Sequence, residues 1–195
     1  ATFTPKIEEG VAGNGMHVHM ALIKNSKNIM RNNDNTELSE EAKQLIGGLC
    51  QYADSLTAFG NTVSSAYLRL VPNQEAPTRI CWSDLNRSAM IRVPLGWSKT
   101  LNMAQIVNPQ QKEKLKNVQG QQTVELRTAD GSAIIHLLLA GITMAAEWGL
   151  TQEQSASIAD SKYAEGNIFE NEELLNKLTL LPQSCVQSSR ILLKN

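Results

Sequence analysis

The feature that most constrains the fold is an apolar segment running from Ser132 to Trp148. Its apolar residues fall on nearly every side of a helix, which predicts a buried core helix. Asp130 or Ser132 can cap the start of this helix, and Gly149 can end it. The segment is too short for a membrane span, and His136 interrupts it. We therefore expect this helix to lie in the core of a globular domain.

Length and composition support one globular domain or a large piece of one. The chain has 195 residues, of which 42% are hydrophobic and 19% charged, as is typical of soluble domains. The net charge of −1 provides no basic footprint for nucleic acid or for an anionic membrane. Three cysteines without close spacing argue against a disulfide framework and favour a cytoplasmic location.

Alternating polarity from Met16 onwards predicts a strand that carries two histidines. His17 and His19 would point to the same face, roughly 7 Å apart along the strand. Such a pair suits metal or phosphate binding, although a structural or surface role is an equal alternative. A turn at Lys24–Asn28 and a returning strand at Ile29–Met30 would complete a hairpin.

A second predicted strand, Thr123–Arg127, places Glu125 and Arg127 on one face. The two side chains could form a simple ion pair. Alternatively, the carboxylate holds a cation and the guanidinium holds a phosphate oxygen, as phosphoryl-transfer sites require.

Helical periodicity predicts an amphipathic helix that begins after Ser39 and ends near Gly60. Gly47 and Gly48 weaken this helix locally and indicate a close contact with another helix. Two further helices are predicted at Gln154–Glu165 and Gln183–Leu193.

The stretch Tyr67–Arg92 concentrates basic residues around an ordered loop. Pro72 and Pro77 favour an extended loop between them, and Thr78–Trp82 is typical of a strand. Guanidinium groups from a loop and a strand suit a multiply charged phosphate or carboxylate ligand, although each arginine alone could be a surface ion-pair partner. The four arginines of the stretch are Arg69, Arg79, Arg87 and Arg92.

Four segments, in this order, resemble the glutamine synthetase catalytic domain: GNGMHVHMAL, YLRLVPNQEAP, NRSAMIRVP and VELRTADGSA. The similarity extends from about Lys6 to about Leu150. The resemblance implies an α+β fold, with a curved antiparallel sheet backed by helices. In that family a small β-grasp domain and the first catalytic strands come earlier in the polypeptide. Residues 1–195 are therefore expected to be the C-terminal portion of a catalytic domain.

The same resemblance implies a glutamate–ammonia ligase that uses ATP and forms glutamine through γ-glutamyl phosphate. It also implies Mg²⁺ or Mn²⁺, a cytoplasmic location and a ring-shaped homo-oligomer, with glutamate, ammonia and ATP as ligands and neither nucleic acid nor membrane as a partner. The 195-residue chain is expected to be inactive by itself.

Metal and nucleotide roles follow from the resemblance, position by position. His17 and Glu125 match metal ligands. His19 matches a histidine near the transferred phosphate, and Arg87 and Arg92 match arginines on the nucleotide phosphates.

Substrate and catalytic roles follow in the same way. Gly13 and Arg69 match positions that contact glutamate, and Arg127 matches an arginine that binds the γ-carboxyl and the transferred phosphoryl group. Glu75 matches a glutamate that closes the site and takes a proton from ammonium. The resemblance thus assigns catalytic roles to Glu75, Arg87 and Arg127.

Some positions depart from the family pattern. Thr123 replaces an arginine, and Ile134 and Ile135 replace an asparagine and a proline. These departures permit a different substrate, so a γ-glutamyl ligase that acts on another amine is one alternative. A non-catalytic structural or nucleotide-binding relative is the other.

Overall fold

The computed structural model describes residues 1–32, 34, 37–72, 76–96, 106–110, 112, 121–166 and 168–195. Strands and helices both occur in this part of the chain, and the predicted α+β class is confirmed. The strands are β1 (Val18–Met20), β2 (Ile23–Lys24), β3 (Lys27–Asn28), β4 (Trp82–Asp84), β5 (Ile91–Val93) and β6 (Val124–Leu126).

Four strands form the main sheet, in the order β1-β6-β5-β4. Strand β6 is antiparallel to both neighbours, whereas β4 and β5 are parallel. The predicted antiparallel arrangement therefore holds for three strands, and the β4 edge departs from it. Apolar side chains on one face of the sheet, such as Val124 and Leu126, belong to the main hydrophobic core.

Helices supply the remainder of that core. Their bounds are α1 (Glu40–Gln51), α2 (Ala53–Gly60), α3 (Ser64–Tyr67), α4 (Ile135–Thr151), α5 (Ser155–Ser161), α6 (Glu172–Lys177) and α7 (Cys185–Leu192), with a 3₁₀ turn at Ile168–Glu170.

Helix α1 begins where the sequence predicts. The Ser39 side chain accepts a hydrogen bond of 3.1 Å from the backbone N–H of Ala42, which caps the helix. A side chain at Gly47 or Gly48 would collide with the backbone of α5 or α4, so the predicted close helix contact is confirmed. The single predicted helix is wrong in one respect, because the backbone leaves helical geometry at Tyr52 and separates α1 from α2.

Two strand predictions need correction. The hairpin returns at Lys27–Asn28 rather than Ile29–Met30, because Asn25 and Ser26 adopt positive φ angles of 50° and 60° and reverse the chain within two residues. The strand expected at Thr78–Trp82 instead begins at Trp82.

Helix α4 differs most from its prediction. It begins at Ile135 without a side-chain cap and continues past Gly149 to Thr151. Only one side is buried, through Leu138, Ile142, Ala145 and Gly149. The opposite side exposes large apolar residues, so the expectation of a fully buried helix is wrong for this chain. No helix of the described ranges is long and apolar enough to cross a membrane.

Candidate active site

Pairing of β1, β6 and β5 places one acidic and two basic side chains in a row. His19 lies opposite Glu125 across β1 and β6, and Arg92 lies opposite Glu125 across β5 and β6. Directly paired residues project to the same face of an antiparallel sheet. The opposite face is the apolar core, so a one-residue slip in register would bury this row in the core.

The Glu125 carboxylate is the centre of this face. Its side chain is 1% exposed, and its two oxygens lie 2.7 Å from His17 Nδ1 and 2.6 Å from Arg92 Nε. His19 Nε2 and Arg127 Nε each lie 3.8 Å from Oε1. A buried carboxylate is tolerated when opposite charge and hydrogen bonds compensate its lost hydration. The arginines provide the opposite charge, and His17 provides a hydrogen bond.

The surroundings of His17 favour its neutral imidazole. Burial lowers the pKa of His17, and the positive charge of Arg127 lowers it further, while Glu125 opposes both effects. In the neutral ring, an Nδ1–H donated to Glu125 leaves the Nε2 lone pair available to a cation.

The donor set fits part of a divalent cation shell. Carboxylate and imidazole are ligands that Mn²⁺ accepts, and Mg²⁺ prefers oxygen donors. His17 and Glu125 are in contact and could share such an ion. Within the described ranges, no group of three or more His, Cys, Asp or Glu residues is arranged to hold a metal. These two residues therefore form a partial shell.

Arg127 is fixed by the loop between β4 and β5. Its side chain is nearly inaccessible, and its Nη1 donates to the backbone carbonyls of Arg87 and Ala89. The Arg87 side chain is itself exposed. It is therefore the backbone carbonyl of Arg87 that contacts the site, through its hydrogen bond with Arg127.

Arg69 approaches the same region from the segment after α3. It is 4% exposed, and its Nη2 donates to the carbonyls of Thr128 and Ala129. A Cβ atom at Gly13 would lie only 3.0 Å from Cγ of Arg69, so a glycine allows this approach. Burial lowers the pKa of the Arg69 guanidinium and the nearby Asp130 opposes that effect, while an arginine remains a cation at neutral pH.

Other predicted residues lie elsewhere or are not described. Glu75 lies outside the described residues. Arg79 does not join the predicted group of arginines, because its Nη1 donates to the carbonyl of Leu178 and its backbone pairs with Leu180.

Two polar residues near Arg69 were not predicted as functional. Asp130 and Asn61 are fully buried. The available signal for Asp130 was the Asp-Gly-Ser triplet after β6, a sequence in which an aspartate bonds to its own turn. No local pattern identified Asn61.

Comparison with known proteins identifies the class to which this α+β fold belongs. The family model described as "Glutamine synthetase, catalytic domain" matches residues 1–195. The chain therefore belongs to the glutamine synthetase family.

Individual relatives agree with this membership. The glutamine synthetase of Pyrococcus abyssi is 38% identical over 173 residues, which are 89% of this chain and 33% of the relative. That of Pyrococcus horikoshii is 39% identical over the same shares. The chain thus spans about a third of the length of these relatives.

Solved structures show the same fold. The Plasmodium falciparum glutamine synthetase matches with a TM-score of 0.68 at 25% identity, over 100% of this chain and 41% of that chain. A GmaS/ADP complex matches with a TM-score of 0.73 at 24% identity, over 100% and 40% of the respective chains.

Proposed function

We propose that the protein carrying this chain uses ATP to ligate ammonia to L-glutamate, forming glutamine through γ-glutamyl phosphate. Family membership supports this proposal. The observation that carries it is the convergence of four basic side chains on one buried carboxylate, that of Glu125: His17, His19, Arg92 and Arg127.

In this proposal the basic groups stabilise the phosphate charge. Phosphoryl transfer proceeds by positioning and electrostatic stabilisation of the oxygens around the transferred phosphorus. Arg92 and Arg127 carry the required positive charge. Arg92 is paired with Glu125, and Arg127 is held by backbone carbonyls of the loop between β4 and β5. Arg87 and His19 would contact the nucleotide phosphates. A divalent ion bound by His17 and Glu125 would neutralise further negative charge.

The glutamate substrate would lie between Arg69 and the loop that contains Gly13. The guanidinium would bind a glutamate carboxylate, and Gly13 allows the backbone to approach the amino acid closely. Glu75 would take the proton from ammonium and close the site against water.

The test is ATP-dependent formation of ¹⁵N-glutamine from glutamate and ¹⁵N-ammonium, measured by mass spectrometry. It uses the complete natural polypeptide that carries this chain, with Mg²⁺ or Mn²⁺ present. We expect Arg127→Gln to lower kcat by about 10² or more. Lys43→Gln, which changes only an exposed ion pair with Asp160, is the matched control.

Parallel reactions distinguish the alternative functions. Formation of a γ-glutamyl amide from another amine, in place of glutamine, would show a different ligase. Absence of any product together with absence of ATP binding would show a non-catalytic relative. The 195-residue chain alone is expected to form no product.

Assembly and location are part of the same proposal. We expect the complete polypeptide to form a cytoplasmic homo-oligomeric ring, and native mass spectrometry of the purified protein tests the oligomer. The assignment of residues 1–195 to the C-terminal portion of the catalytic domain stays a prediction.

A further inference from the structure

Asp130 and Asn61 form a buried polar pair directly behind Arg69. From their contacts, we infer that these two residues are positioning residues for Arg69: they orient its guanidinium toward the Gly13–Gly15 loop and so set the affinity for the glutamate carboxylate without touching the substrate. The inference rests on the proposed function, because it adds two residues to the substrate site proposed there.

Both oxygens of Asp130 are fixed. The residue is 0% exposed. Oδ1 accepts hydrogen bonds of 2.9 Å and 2.6 Å from the backbone N–H and the hydroxyl of Ser132. Oδ2 accepts a hydrogen bond of 2.8 Å from Asn61 Nδ2 and lies 3.9 Å from Arg69 Nε. The negative charge therefore has one fixed position beside the guanidinium.

Asn61 connects the two groups that hold Arg69. It is also 0% exposed, and its Nδ2 donates both to Asp130 Oδ2 and, over 2.8 Å, to the carbonyl of Thr128. That same carbonyl accepts a hydrogen bond from Arg69 Nη2. A shift of Asn61 would therefore move both the countercharge and the carbonyl anchor.

These contacts leave one side of the guanidinium for a ligand. Nη2 is bound to carbonyls and Nε lies on the Asp130 side. Nη1 faces the glycine loop, where a Cβ at Gly15 would lie 3.2 Å away. A carboxylate that enters beside the glycines would meet Nη1, and fixing the planar guanidinium beforehand reduces the entropy lost on binding.

The charge of Asp130 is needed as well as its shape. Arg69 is buried and lies near a second cation, Arg127, and both effects disfavour its positive charge. A neutral residue at position 130 would leave the guanidinium without its nearest countercharge. Only the two carbonyl contacts of Nη2 would then hold the guanidinium, and its orientation toward the loop would be less fixed.

The experiment measures glutamate binding without turnover, and turnover separately. Isothermal titration gives the Kd for L-glutamate in the complete natural polypeptide carrying this chain. Initial rates give the KM for glutamate and for ATP. We expect Asp130→Asn to raise the Kd and KM for glutamate by about tenfold or more, since a charge-assisted contact loses its orientation. The KM for ATP should stay within about twofold.

A double variant separates positioning from general structural damage. In an Arg69→Gln background, Asp130→Asn should cause no further change in the Kd for glutamate, because its effect passes through Arg69. Asp160→Asn is the matched control, an exposed aspartate in an ion pair with Lys43, and should leave every constant unchanged. If Asp130→Asn fails to fold, Ser132→Ala is the second variant. It removes one donor to Oδ1 and should raise only the glutamate constants, by about two- to threefold.

Several outcomes would overturn the inference. These are equal effects of Asp130→Asn on glutamate and ATP, a further loss in the Arg69→Gln background, an unchanged glutamate Kd in the folded variants, and absence of glutamate binding by the unaltered protein. An unaltered protein that binds glutamate through Arg69 but forms no glutamine would refute the proposed function alone.

Discussion

On the face of the main sheet that carries Glu125, charged side chains are buried. On the outer side of α4, large apolar side chains are exposed to water. Glu125 is 1% exposed and Arg127 is 3% exposed. On α4, Ile135 is 52% exposed and Met144 is 69% exposed. Charged residues are usually exposed and large apolar residues are usually buried. The sheet face departs from this rule by burying charged residues, and α4 departs from it by exposing apolar residues.

The difference shows that a charged side chain can be buried only where oppositely charged groups pair with it. An apolar side chain is buried only where another element packs against it. A buried charge without a partner is very costly, so Glu125 can be buried only because basic groups surround it. An exposed apolar side chain merely forgoes the gain from burial, and much of any folded surface is apolar. The first arrangement should be sensitive to substitution and the second tolerant of it.

The largest expected effect comes from removing the central carboxylate. Glu125→Ala removes the countercharge of the buried Arg127 and of the partly exposed Arg92, and we expect the free energy of unfolding to fall by about 3–5 kcal/mol. Urea denaturation of the 195-residue chain measures it. Asp160→Ala, at an exposed ion pair, should cost less than about 1 kcal/mol. Equal losses for both variants would remove the distinction between paired buried charges and surface charges.

Two adjacent leucines of α4 compare the buried side of this helix with its exposed apolar side. Leu138 is 1% exposed and Leu137 is 47% exposed. Leu138→Ala should lower the free energy of unfolding by about 2–5 kcal/mol, because it leaves a cavity in the core. Leu137→Ala should change it by about 0.5 kcal/mol or less. Thermal and urea unfolding of both variants checks this, and a large loss for Leu137→Ala would show that its side of α4 is packed in solution.

The smallest expected effect concerns a buried thiol. Burial raises the pKa of the Cys81 thiol from 9.0 to about 11. Between those values the folded chain retains a proton that the unfolded chain has released. Stability should therefore fall as pH rises from about 9 to about 11, by at most about 2–3 kcal/mol.

Comparison of the unaltered chain with Cys81→Ala by urea denaturation at pH 8, 9, 10 and 11 isolates this contribution. The variant should lose less stability over that range. Identical slopes would show that Cys81 ionises as readily in the folded chain as in the unfolded one.

Local patterns predicted the parts of the fold that depend on neighbours in sequence. Ser39 caps α1 as predicted, because a serine before a run of helical residues satisfies a free backbone N–H. Alternation placed His17 and His19 on one face, and the structure brings both to Glu125. Tyr52 shows the limit, since no pattern indicated the break between α1 and α2.

The sequence by itself determined the residue types of the candidate site and the family, because four ordered segments carry both. Only the tertiary structure decided which residues meet. Glu125, Arg92 and His19 align through strand register, and Asn61 joins Asp130 across 69 positions in sequence. It also decided that one side of α4 faces outward. Periodicity reports which side chains are apolar, and burial depends on which other elements cover them.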